Sequence, residues 1–460
     1  MPQERARRSI EFCLGRLRLQ AEELRSEQYP GNHPGPRHWL DLVNGLLDTA
    51  DSYLDLSRTA SDVDQAAALA RDAARLGSMA YQCMYLMQGS SVAHLSPPIT
   101  IPFQRWLDTL GFPNTAIFRA ETVVNYELFR QDEKPFTRIR NPAPTLVAAI
   151  AALKWPLFRI TLPTKGFAIL PHFAIVAHEI GHALCDRLNW DLSAFAPEEK
   201  PLIDRVQAKL GHSLTPESLT FFQKVFLHWF HELAADAFAF FLTGPAIFFS
   251  LCDFFQLLGN GYGLTATHPA NDLRRRAIYK QLVVTQSKDS FVSVFQKHAG
   301  LQLDEAFNSG ILIPAPPKSD IWSDTKNSGA TDFAAAILSE LHESVELLVP
   351  MIYHQAREHL RAVAPQTIYS PEAYDEDLNT HLQAMLAAIP PIESVQGAEL
   401  TAARFASILN VGWVALLTKF DEFRIAGEGA GNWERMEVLH SLLEKAVELS
   451  EVKRLWESVP

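Results

Sequence analysis

Cysteine is scarce in this sequence, and basic charge is outnumbered by acidic. Four cysteines, Cys13, Cys83, Cys185 and Cys252, are scattered through 460 residues without a CxxC pair. That spacing argues against a disulfide framework and fits a reducing compartment. Lysine and arginine number 41 against 53 acidic residues, for a net charge of −12. No basic surplus is left to neutralise phosphates, so nucleic acid is not expected as the partner. The opening Met-Pro-Gln-Glu-Arg-Ala-Arg-Arg leads into an amphipathic stretch without the apolar core of a secretory leader, and a cytoplasmic location is expected. Internal repeats and long low-complexity tracts are missing too. One apolar stretch, Ala237 to Leu258, approaches the length of a membrane span. Gly244-Pro245 interrupts it and Asp253 lies within it, so two buried helices meeting at a turn are expected, not insertion into a membrane.

What is present is an ordinary globular composition, 47% hydrophobic and 20% charged, with length enough for two or three domains. The fold is expected to be mainly α, with a small sheet in an α+β core. An N-terminal helical region is assigned to 1–135 and the core to 136–300. A linker or surface loop rich in proline, serine and glycine follows at 301–332, then a C-terminal helical region at 333–460. Ser61 can cap a helix in which Val63, Ala67, Ala70 and Ala74 recur at helical spacing. Arg159 to Leu162, closed by Pro163, reads as an edge strand. Thr215, Pro216 and Glu217 supply an N-cap, a first helical proline and a first-turn acid, opening a helix expected to run to Gly244-Pro245.

The chemistry concentrates in His178-Glu179-Ile180-Gly181-His182, on a helix expected from about Pro171 to Leu188. Residues four apart on a helix share a face, so His178 and His182 can converge on one ion. Glu179 is turned by about 100° around the helix, beside the ion without having to ligate it. A base that takes a proton from metal-bound water belongs there. The chain has 16 histidines, and a chance match on a helix of this apolar character is uncommon. The bland alternative is a buried helix whose histidines bond only to neighbours.

A catalytic zinc generally has three protein ligands and one open position. Extending the first helix supplies none, because Cys185 and Leu188 stand where HExxHxxGxxH needs glycine and histidine. The second helix offers His231-Glu232-Leu233-Ala234-Ala235-Asp236. Glu232 is the expected third ligand, with His228, one turn earlier, as its rival. Asp236, one turn later among apolar neighbours, is expected to accept the free ring N–H of a ligating histidine. His231 points elsewhere, toward substrate or the surface.

These motifs resemble those of the glutamate zincins, metallopeptidases with HExxH on one helix and glutamate on a second. His178-Glu179-x-x-His182 and Glu232-x-x-Ala235-Asp236, with Thr267-His268-Pro269 and Arg274 downstream, are similar to segments of the HtpX-like peptidases and of their prenyl-protein-processing and mitochondrial relatives. Those relatives usually carry transmembrane helices. Glu232 to Ala239, with Leu242 and Pro245, also resembles the ImmA/IrrE-type peptidases. The likeness covers about 105 residues, His172 to Arg276.

The expected activity is zinc-dependent hydrolysis of peptide bonds in a protein or peptide substrate, with one Zn(2+) per chain. His178, His182 and Glu232 are the ligands and Glu179 is the base. His268 and Tyr262 are the candidate donors to the tetrahedral intermediate. His268 bonding to the backbone near Pro269 is the bland alternative, and Arg274 reads either as an anchor for this segment or as a solvated helix start. Two other classes compete. One is a zinc-containing scaffold or binding protein without peptidase activity. The other is a helical di-iron protein in which Glu179-x-x-His182 pairs with Glu437-Val438-Leu439-His440.

Overall fold

The structure is a computed structural model and describes residues 2–30, 35–112, 116–121, 126–163, 170–188, 196–211, 213–257, 266–284, 290–303, 338, 341–342, 345–396, 399–422 and 431–458. The chain divides into two compact units, 1–168 and 169–460. Helices dominate both, with small sheets between them in sequence.

In the first unit the helices are α1 (Pro2–Ser26), α2 (Gly35–Thr59), α3 (Val63–Met87), α4 (Pro97–Thr109), α5 (Lys134–Thr137) and α6 (Pro144–Ala152). Leu42, Val43, Leu46 and Leu47 of α2 are fully buried against the apolar faces of α1, α3 and α6. Each such leucine or valine contributes about 1.5–3 kcal/mol relative to exposure. Asp62, one residue beyond Ser61, caps α3 by accepting from the Asp64 amide.

Strands β1 (Ala116–Glu121), β2 (Glu127–Gln131) and β3 (Leu157–Pro163) form one sheet in the order β1-β3-β2. β3 is parallel to β1 and antiparallel to β2. Three expectations are corrected here. Residues 1–135 are not all helical, because β1 and β2 lie among them; segments of five and six residues are too short for their period to separate strand from helix. The Arg159–Leu162 strand is central, not an edge: Leu157, Phe158, Ile160, Thr161 and Leu162 are buried, as suits a strand covered on both faces. The whole sheet belongs to the first unit, and the chain divides after residue 168 instead of after 135.

The second unit opens with a 3-10 turn, Leu170–Phe173, and continues through α7 (Ala174–Arg187), α8 (Ala196–Leu210), α9 (Pro216–Thr243), α10 (Pro245–Leu257), α11 (Asn271–Val283) and α12 (Phe291–Ala299). Then follow α13 (Val349–Val363), α14 (Pro371–Leu386), the antiparallel pair β4 (Glu393–Gln396) and β5 (Glu399–Ala402), α15 (Phe405–Thr418) and α16 (Asn432–Glu457). The hairpin corrects the expectation of a wholly helical C-terminal region; the Pro390-Pro391 pair ahead of it is unfit for helix. Nearly all of the expected linker at 301–332 lies outside the described residues.

Helix α9 is the axis of this unit. Thr215 Oγ1 accepts from the Ser218 amide and Pro216 stands at the first helical position. From Glu232 to Thr243 every residue is buried, with α7, α10, α11, α13 and α15 packed around it. Gly244 has φ 60°, a left-handed backbone that ends α9 before Pro245 begins α10. Over its described residues, 237–257, the apolar stretch is therefore two largely buried helices. Among the described residues α9 alone is long and apolar enough to cross a membrane, and most of its apolar window is covered by protein. Phe222, Phe226, Phe240 and Phe241 of α9 are buried side chains.

Candidate metal centre

Helix α7 presents His178 and His182 on one face while Ile175, Val176, Ile180, Ala183 and Leu184 anchor it in the core. Gly181 permits a close crossing with α9, because a Cβ there would stand 2.7 Å from the Ala235 Cα. At that crossing Glu232 meets the two imidazoles. His178 Nε2 is 3.1 Å from His182 Nε2. Glu232 Oε1 lies 3.3 Å from His182 Nε2, and Oε2 lies 3.5 Å from His178 Nε2. Three donors arranged tetrahedrally at 2.0–2.1 Å from one zinc stand about 3.3–3.4 Å apart. Among the described residues this is the one group of three or more His, Cys, Asp or Glu side chains able to hold an ion. His228 is not part of it.

Asp236 is fully buried one turn beyond Glu232, with Oδ1 2.8 Å from His178 Nδ1. A histidine that gives Nδ1–H to a carboxylate presents Nε2 as a lone pair toward the ligand cluster. Arg274, in the first turn of α11, closes the arrangement. Its Nε and Nη2 donate to the two Asp236 oxygens at 2.8 and 2.7 Å. Phe255 of α10 lies under the guanidinium, 5.4 Å from ring centre to Cζ. Arg274 Nη1 is 3.1 Å from Glu232 Oε2 but is not aligned for a hydrogen bond, so that buried oxygen has no hydrogen-bond partner. A buried carboxylate oxygen left in this way is costly unless a cation takes it.

Charge points the same way. Glu179, Glu232 and Asp236 are three buried carboxylates and Arg274 is one buried guanidinium. If all are ionised, two negative charges remain for a divalent ion to balance. Burial pushes the Glu232 carboxyl upward, but Arg274, His182 and His178 outweigh it and hold the group well below the usual carboxylate range. Burial and the Arg274 charge both oppose a proton on His178; Asp236 and Glu232 overcome them and raise it to about 9. Without metal, a proton on His178 supplies part of the missing positive charge. Zinc suits the set, since imidazole and carboxylate are its ordinary ligands.

Glu179 is buried beside His178, near enough to Arg274 for its charge to help keep the guanidinium protonated. His268 stands at the exposed rim, with Nε2 3.6 Å from Glu232 Oε1 and Nδ1 2.9 Å from Thr267 Oγ1. Burial and the nearby positive groups hold His268 below its ordinary value, Glu232 notwithstanding. His231 is half-buried and also lowered, first by burial and then by His182. Tyr262 lies outside the described residues.

The sequence left Arg274 between an anchor and a solvated helix start. It is a buried bridge from Asp236 to Glu232. The acid–apolar pattern around Asp236 was the available signal, because a fully buried acid on an apolar helix requires a cation. Of the second half of the di-iron alternative, Glu437 is exposed and His440 Nδ1 accepts from the Leu170 amide. Neither joins a metal-binding group among the described residues. No protein-family model matches the sequence, and no curated protein or solved structure matches it at a significant level.

Proposed function

We propose that this protein is a zinc-dependent metallopeptidase that hydrolyses peptide bonds of a protein or peptide substrate. The observation that carries the reading is the closure of His178, His182 and Glu232 around a space of zinc-ligand dimensions, with Glu179 adjoining it. The resemblance of the paired motifs to glutamate zincins supports it independently of the geometry.

Zinc held there would acidify a bound water and polarise a substrate carbonyl. Glu179 takes a proton from the attacking water and returns it to the leaving amine. Asp236 fixes the ring of His178, and Arg274 holds Asp236 and steadies Glu232. His268, on the solvent side of the ligands, is the donor placed to meet the developing oxyanion. A cytoplasmic site of action belongs to the same proposal and is supported by four free cysteines, three of them buried.

The test compares protein termini in cells producing the native chain or Glu179→Gln. New termini unique to the native chain, with zinc retained by the variant, support the reading and identify the substrate. Equal cleavage by both chains would remove Glu179 from the mechanism.

A further inference from the structure

Helix α7 carries two of the three proposed ligands, yet no local cap fixes where it starts. Phe173 stands at its N-cap and supplies no side-chain hydrogen bond. Serine, threonine, aspartate or asparagine ordinarily does so. His178 follows little more than one turn later, so a shift at the start of the helix is passed on to the ligand. A metal-holding constellation has to be kept within about 0.5 Å.

The start is held instead from the far end of the chain. Leu170, Pro171, His172 and Phe173 form a buried 3-10 turn ahead of α7, and three helices grip its polar atoms. His440 of α16 accepts at Nδ1 from the Leu170 amide at 3.2 Å. The indole N–H of Trp413 in α15 is shared between the Pro171 carbonyl and Ser250 Oγ, 3.1 Å from each. Ser250 Oγ, on α10, is itself 2.9 Å from that carbonyl. His172 Nε2 lies 2.6 Å from Asp253 Oδ2, also on α10, and its ring leans on Trp413 with centres 5.6 Å apart. Trp413 and Ser250 are buried, so water does not compete for their bonds.

We propose that α15 and α16 act as a clasp on the metal helix, with Trp413 and His440 as positioning residues for His178 and His182. The inference rests on the metallopeptidase reading, since the site that the clasp sets is the proposed zinc site. Trp413 and His440 lie 242 and 270 positions beyond their partners in the chain, so zinc affinity depends on docking of the C-terminal helices. The fraction of molecules with α7 correctly seated multiplies the intrinsic affinity. Loosening either helix lowers zinc binding without touching a ligand.

The experiment measures zinc affinity of the full-length chain by competition with a chromophoric chelator, and hydrogen exchange over residues 170–177 by mass spectrometry. Trp413→Phe keeps an aromatic ring and removes the N–H. His440→Phe removes the acceptor, and His440→Asn returns one near the Nδ1 position. Ser450→Ala is the control, because it deletes a bond from farther along α16 to the Ile392 carbonyl. Trp413→Phe and His440→Phe should each speed exchange over 170–177 and weaken zinc about two- to tenfold, the equivalent of one lost hydrogen bond. His440→Asn should recover most of the affinity. Ser450→Ala should keep all of it while lowering the urea midpoint. Native affinity in both Trp413→Phe and His440→Phe, no recovery in His440→Asn, or equal weakening in Ser450→Ala overturns the clasp and leaves the zinc site in place. A native chain that binds no zinc refutes the metallopeptidase reading itself, and the clasp falls with it.

Discussion

Gly181 of α7 rests on the backbone of Ala235 of α9: a Cβ at Gly181 would lie 2.7 Å from both the Ala235 Cα and its carbonyl oxygen. Backbone cannot swing aside as a side chain can, so this contact sets the helix separation and with it the reach of Glu232. Alanine would improve helix propensity by up to about 1 kcal/mol, yet overpacking costs about 1–3 kcal/mol. Gly181→Ala is therefore expected to lower the melting temperature and to weaken zinc. Thermal melts and competition with a chromophoric chelator measure both; unchanged zinc affinity would show that the close crossing is not needed.

Arg274 hydrogen-bonds Asp236 through both carboxylate oxygens, and among the described residues no other cation does so. Arg274→Met leaves a buried acid without that partner, a change that costs about 3–5 kcal/mol in comparable buried pairs. Urea unfolding should show the loss, and Asp236→Asn in the same chain should recover part of it. Equal stability of Arg274→Met and the native chain would mean that solvent reaches Asp236.

Asp236→Asn by itself tests the support of His178. The amide can turn its NH2 toward the ring and lose the acceptor on Nδ1. Zinc affinity should fall about 10- to 100-fold, read by chelator competition, with the secondary structure kept.

Much of this arrangement was legible in the sequence. The four-residue spacing of His178 and His182 and the apolar helix around them fix a shared face, and Thr215-Pro216-Glu217 marks where α9 starts. Gly244-Pro245 divides the apolar stretch as expected. Three features were not legible, for definite reasons. β1 is a six-residue segment, buried although it carries Arg119, and too short to show a diagnostic period. The central place of β3 depends on pairing with strands distant in sequence. The reach of Arg274 to Glu232 depends on how α11 packs against α9, which no local pattern encodes.

His178 gives the metal-free protein a pH dependence. Its folded value of about 9 lies above the ordinary histidine value of 6.5. The stabilisation it provides is complete below about pH 6.5 and is lost as pH rises through about 9. In chelator, urea midpoints should fall across that window, and less so in His178→Asn. Zinc must displace the proton, so zinc affinity should rise with pH over the same interval, with about one proton released per ion near neutrality. Calorimetry in buffers of different ionisation enthalpy counts that proton; no proton release at pH 7 would contradict the raised value.

The most direct measurement is anomalous diffraction at the zinc edge from crystals of the native chain grown with zinc. The account predicts one strong peak per chain at about 2.0–2.1 Å from His178 Nε2, His182 Nε2 and a Glu232 oxygen. It also predicts loss of that peak in Glu232→Ala. No peak between these three side chains, or a peak that survives with Glu232 turned away, would contradict it.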